Sequence, residues 1–82
     1  DANVRLVTSL DEAQTLQSDL RQQSVSAEVL WFDDPMEYAV HLYDFFRKCD
    51  FEKKQVVIAI LPQDSGIGSA VRDRLIKAAA NR

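Results

Sequence analysis

The chain has 82 residues, ten of them Lys or Arg and thirteen Asp or Glu, for a formal charge of -3. That length holds one small domain with a modest core, and the slight acidic excess argues against a nucleic-acid backbone as main partner and against a solvating acidic tail. No stretch approaches the roughly 18 apolar residues of a membrane span, and Cys49, the single cysteine, excludes an intrachain disulfide and suits a reducing, cytoplasmic setting.

The chain opens Asp-Ala-Asn-Val, with no basic segment and apolar core, so no secretory signal is expected. It lacks an initiating Met, which fits a piece of a longer protein. Val4 to Val7 is the first strand candidate. Ser9 and Glu12 have the spacing of a capping box, and the helix they open is expected to run to about Gln22. Leu10, Ala13, Leu16 and Leu20 form its apolar stripe, with Gln14, Gln17, Ser18 and Arg21 on the wet side. Gln22-Gln23-Ser24 is a polar connection without glycine.

Val25 to Phe32 is the second strand candidate, centred on Val29-Leu30-Trp31-Phe32, with Glu28 expected at an edge. Asp34 then caps a second helix, Pro35 takes its first position and Glu37 its capping-box position. This helix is expected to end near Lys48, where Arg47 and Lys48 favour the carboxyl terminus. Met36, Ala39, Leu42, Tyr43 and Phe46 read as its sheet-facing stripe, leaving Tyr38, Val40 and Phe45 outside it. Tyr38, His41 and Phe45 then share another face. It either wraps the edge of a thin core or meets another domain or a second copy.

Asp50 to Lys54 reads as a charged connection in which Phe51 folds back as a local plug. Val56 to Leu61 is continuously apolar and rich in β-branched residues, as in an interior parallel strand. Pro62 and Gln63-Asp64-Ser65-Gly66 end it. A third helix follows, carried by Ile67, Val71, Leu75 and Ala79, with Asp73 and Lys77 paired one turn apart. Strands alternating with helices predict a small α/β domain over residues 1–82, with a mainly parallel sheet and flanking helices.

Five features could carry chemistry. Asp33, Asp34 and Asp64 lie at carboxyl ends of strands, where a parallel sheet could hold magnesium or accept a phosphoryl group. The lysine that a receiver needs after a late strand is missing, and caps and turns account for all three. Gly66-Ile67-Gly68 opens a helix, where a phosphate could sit. It lacks the third glycine of a dinucleotide fingerprint and the Gly-Lys-Ser/Thr of a P-loop, so a tight turn is the simpler account. His41 has no partner nucleophile or second histidine, and reads as a surface or interface residue. Cys49 reads as a small buried hydrophobe, because Asp50 and Glu52 are the wrong sign for a reactive thiolate. Arg72, Arg74, Lys77 and Arg82 give the last helix a basic tendency broken by Asp73, a poor stripe for nucleic acid. These residues define no catalytic group and no metal site, and they leave cofactor binding open.

The segment Gly66-Ile67-Gly68-Ser69-Ala70-Val71-Arg72-Asp73-Arg74-Leu75-Ile76-Lys77-Ala78-Ala79 resembles the closing motif of the C-terminal domain of two-domain threonylcarbamoyl-AMP synthase. Tyr38-Ala39, Leu42-Tyr43, Phe46-Arg47 and Asp50 are similar to the helix before that domain's last central strand, and Leu61-Pro62 to the strand's end. The likeness is good from about Ala27 to Ala80 and loose from Val4 to Gln22. It implies a Rossmann-like accessory domain of a tRNA-modification enzyme, with no catalytic residue of its own. The implied partners are a YrdC-like catalytic domain and the linker before this one; tRNA contact and self-association stay open. That catalytic domain is expected to use L-threonine, bicarbonate and ATP, as a nucleotidyltransferase making threonylcarbamoyl-adenylate. The resemblance also implies a further strand and helix before the Asp34-Pro35 region, where this sequence has only Gln23 to Ala27. The alternative is a freestanding α/β module that binds a nucleotide or a protein.

Overall fold

Strand β3 (Val56–Ile60) carries the fold. In the computed structural model, which describes residues 2–81, every residue of β3 is buried. Alternate side chains of a strand point to opposite faces. Val57 and Ala59 therefore enter one core, and Val56, Ile58 and Ile60 the other. This is why the segment is apolar without interruption.

Strands β1 (Asn3–Val7) and β2 (Ala27–Leu30) flank β3, both parallel to it, in the order β1-β3-β2. The expected interior parallel strand and α/β class are thus observed. Registers run from Asn3 opposite Val56 to Val7 opposite Ile60, and from Ala27 opposite Val56 to Leu30 opposite Ala59. Glu28 lies on the edge strand, as expected, and pairs with Lys54 at 3.1 Å. Trp31 and Phe32 fall outside β2. The second strand is therefore shorter than the apolar run that suggested it.

Helix α1 (Leu10–Gln22) packs Ala13, Leu16 and Leu20 on one face of the sheet. Leu10, expected in that stripe, is mostly exposed at the helix start. Helices α2 (Pro35–Phe51) and α3 (Ile67–Asn81) cover the other face and pack on each other, giving three layers. In α3, Val71 and Leu75 are buried, whereas Ile67 is exposed at the first turn. Arg82 lies outside the described residues.

Helix α2 departs from expectation in two ways. It runs on to Phe51, so Asp50 and Phe51 belong to its last turn, and Phe51 is no plug but 87% exposed. Its phase also differs. Tyr38, Leu42, Phe46 and Cys49 are the buried set, while Met36 and Tyr43 face solvent. The helix is turned so that Tyr38 points inward, because its hydroxyl finds partners on two strands.

Candidate functional site

Parallel α/β sheets hold ligands at the carboxyl ends of their strands, so that edge is built up here first. Tyr38 lies beneath the ends of β2 and β3. Its hydroxyl donates to the Ile60 carbonyl at 2.7 Å, with the Leu30 carbonyl at 3.2 Å sharing the hydrogen. Trp31 meets its ring edge-on and Phe32 packs tilted on it, with centroids 5.9 and 5.7 Å away. Burial pushes the Tyr38 phenol well above its ordinary value. The phenol is thus a neutral donor that fastens two strands, and its side chain fills the space between them.

The end of β1 is closed in the same manner. Ser9 Oγ accepts from the Glu12 N–H at 3.1 Å. The Glu12 carboxylate reaches one residue further back than a capping box requires, accepting from the Thr8 N–H at 2.9 Å and Thr8 Oγ1 at 3.0 Å. Those two bonds hold its carboxyl below the usual glutamate value.

The three candidate aspartates each have a local partner. Asp33 accepts from Trp31 Nε1 at 2.7 Å, Asp34 caps the Met36 N–H at 3.0 Å, and Asp64 accepts from Ser69 Oγ at 2.7 Å. Among the described residues, no group of three or more His, Cys, Asp or Glu is placed to hold a metal. In the Gly66–Gly68 turn, the Gly68 N–H donates to Ser65 O and the Ser69 N–H to Gly66 O. A phosphate arriving there would meet the Asp64 carboxylate first. Gly68 has a packing reason instead: a Cβ on it would overlap the carbonyl oxygen of Gln63. Gly66 sits at φ +56°, open on all sides.

His41 stacks on Phe32, with centroids 5.4 Å apart, and its Nε2 lies 3.0 Å from Glu37 Oε2. Glu37 therefore serves His41 rather than a capping box. Phe45 packs half-buried against the core. Of the three residues read as sharing a core edge or an interface, Tyr38 is core, and Phe45 packs at its margin with His41 beside it, as the core-edge alternative has it. Cys49 is buried, and burial pushes its thiol up, helped by Glu28, Glu52 and Asp50.

Sequence reasoning missed the outer face of α2. Met36, Val40 and Tyr43 follow at four- and three-residue spacing and are 52%, 61% and 54% exposed. Beside this ridge runs an open groove of about 790 Å³ between α2 and α3. Tyr43, Phe46 and Ala78 give it apolar walls, and Arg47, Arg74 and Lys77 stand around it. Arg47 is paired with Asp44, and Lys77 with Asp73 at 2.9 Å. The ridge could have been found by noticing that α2 carries two apolar stripes and letting the tyrosine with a buried partner set the inner one.

These features define a small parallel α/β domain in which Tyr38 fills the β2–β3 crevice and Met36, Val40 and Tyr43 stand exposed on the outer face of α2. No helix of the described residues is long and apolar enough to cross a membrane. The family model for the threonylcarbamoyl-AMP synthase C-terminal domain matches residues 1–80, and the chain belongs to that family. No curated protein and no solved structure matches it.

Proposed function

We propose that this chain is the accessory domain of an L-threonylcarbamoyladenylate synthase. On this reading it supports tRNA threonylcarbamoyladenosine formation by acting on a separate catalytic domain of the same enzyme. Catalysis, with L-threonine, bicarbonate and ATP, belongs to that other domain. The observation that carries the reading is the closed carboxyl edge of the sheet. Tyr38 fills the β2–β3 crevice, Glu12 occupies the backbone at the end of β1, and Asp64 stands at the start of α3. The glycine turn at the start of α3 is occupied by the chain's own groups: Asp64 accepts from Ser69 Oγ, and the Arg72 guanidinium beside it is engaged by the Pro62 carbonyl at 3.0 Å. A domain whose β2–β3 crevice is filled by its own tyrosine, yet with apolar surface on a helix, suits contact with another protein surface.

The test compares the intact synthase with the same enzyme lacking this domain. Pyrophosphate release from ATP, L-threonine and bicarbonate is followed for both, with thermal unfolding as a check that the remainder is folded. A folded remainder that has lost most of its rate supports the proposal. An unchanged rate overturns it. So would saturable ATP binding by these 82 residues alone, which would instead favour a nucleotide-binding module.

A further inference from the structure

The two outer strands of the sheet present unlike sides. On β2, Ser26 O accepts from the Val56 N–H, so alternation turns the backbone groups of Ala27 and Val29 away from β3. The first of these is covered, because Gln17 Nε2 donates to Ala27 O at 2.9 Å. On β1, the Asn3 N–H donates to Gln55 O, and Val7 O accepts from the Leu61 N–H. Arg5 therefore also faces β3 with its backbone, and the N–H and C=O groups of Val4 and Leu6 point outward. No described residue bonds to those outward groups. The strand has no proline and no bulge to blunt this side.

The layer over this side is incomplete as well. Helix α1 packs chiefly over β2 and β3 and stands back from β1, leaving an open groove of about 460 Å³ between them. Leu6, Val7 and Leu16 give the groove an apolar floor, and Asp11, Glu12 and Asp19 line its α1 bank. Arg5 is the one cation in it. Asp11 and Asp19 are exposed, and neither has an ion-pair partner among the described residues.

A row of free main-chain groups is matched by another extended main chain, and the side chains next to it select which one. An acidic bank repels phosphate, so nucleic acid and anionic lipid are poor occupants. A second copy would bring a second acidic bank into the same trough, where like charges oppose each other. No described connection of this chain is long enough to reach round and supply the strand itself. We propose that the outer side of β1 receives an extended segment of another polypeptide, added to the sheet as one more strand, with Lys or Arg at the alternate positions that face α1. Its main chain bonds to Val4 and Leu6, and its cations meet Asp11 and Asp19. This goes beyond the accessory-domain reading and does not depend on it.

The test is amide hydrogen exchange of the 82-residue chain, followed residue by residue by NMR, with and without a short peptide that alternates lysine and valine. Without peptide, the Val4 and Leu6 amides should exchange freely, while that of Arg5, bonded to β3, is protected. Peptide in large excess should slow Val4 and Leu6 several-fold and leave Val29, outward on the opposite strand, unchanged. Asp19→Lys is exposed on α1 and keeps the core, and it should weaken the peptide several-fold. Methylating one alternate set of peptide amides should abolish the protection, and methylating the other set should spare it. Val4 and Leu6 amides that ignore the peptide would overturn the proposal. So would a response confined to α1, the mark of loose charge attraction without strand addition, or equal binding of a peptide alternating glutamate and valine. Slow exchange without peptide at every dilution would overturn it by showing that the side is closed already. Slow exchange that grows with protein concentration would overturn it in favour of a second copy.

Discussion

The Tyr38 hydroxyl lies 2.7 Å from the carbonyl oxygen of Ile60 and donates to it, from a helix that precedes β3 in the chain. A single phenol thereby ties α2 to the last residue of the central strand, and through Leu30 to the end of β2. Removing only the oxygen tests that tie. Tyr38→Phe keeps the ring packing on Trp31 and Phe32 but takes away a buried donor. The expected loss is about 1–3 kcal/mol in a urea unfolding curve. A loss near zero would show that the hydroxyl has no such partners.

The two glycines before and within α3 should respond to alanine for different reasons. Gly68→Ala forces a methyl group into the Gln63 carbonyl, which belongs to the backbone and cannot rotate away. Gly66→Ala meets no neighbour but must hold φ +56° with a Cβ, at about 1–2 kcal/mol. Thermal unfolding should rank Gly68→Ala as clearly the more damaging. The reverse order would mean that the turn relaxes and only the left-handed conformation matters.

Helices α1 and α2 both end in a left-handed residue that is not glycine, Ser24 at φ 62° and Lys53 at φ 60°. The following amides reach back to Leu20 and Cys49, as in a glycine-terminated helix. Lys53→Gly should therefore stabilise by about 0.5–1 kcal/mol, the steric relief exceeding the added freedom of the unfolded chain. Destabilisation on calorimetric melting would show that the Lys53 side chain matters more than its backbone.

Glu12 gives the domain a pH dependence at its acid end. Its folded value lies below the unfolded glutamate value of 4.5, held there by the Thr8 bonds. The contribution is therefore complete above the unfolded value and is lost as pH falls through the folded one. The melting temperature of Glu12→Gln should lie below that of the parent at about pH 7, and the gap should narrow as the pH falls below the unfolded glutamate value. A gap that is constant with pH would mean that the charge on Glu12 plays no part.

What could be read from the sequence follows the range of the forces involved. β3 was legible because burial on both faces leaves its mark on every residue of one short run. The starts of α1 and α2 were legible because Ser9, Asp34 and Pro35 act on atoms a few positions away. The end of α1 at Gln22 could be read from the polar Gln22-Gln23-Ser24 connection, but the end of α2 could not, since Lys53 occupies a position where glycine is the usual sign. The local tasks of Asp34 and Asp64 could be anticipated as caps and turns, and structure gives each its partner. The phase of α2 could not be read, because Met36, Tyr38, Ala39, Val40, Leu42, Tyr43, Phe45 and Phe46 surround most of the helix with apolar groups. The choice between two stripes is made by carbonyls on β2 and β3, distant in sequence, and no spacing within α2 records them.

That choice can be checked with two substitutions of the same residue type on opposite sides of α2. Tyr38 is 0% exposed and Tyr43 54%. Tyr38→Ala removes a buried ring and the hydroxyl that fastens two strands, so it should cost about 3–5 kcal/mol, as large aromatic truncations in cores do. Tyr43→Ala removes a ring that mostly faces water, and alanine favours the helix, so its cost should be about 1 kcal/mol or less. The measurement is urea unfolding of the domain by itself, away from any docking partner, with circular dichroism as the probe. If Tyr43→Ala proves the costlier of the two, the inner stripe runs through Met36, Ala39 and Tyr43 after all. The row of Met36, Val40 and Tyr43 would then belong to the core.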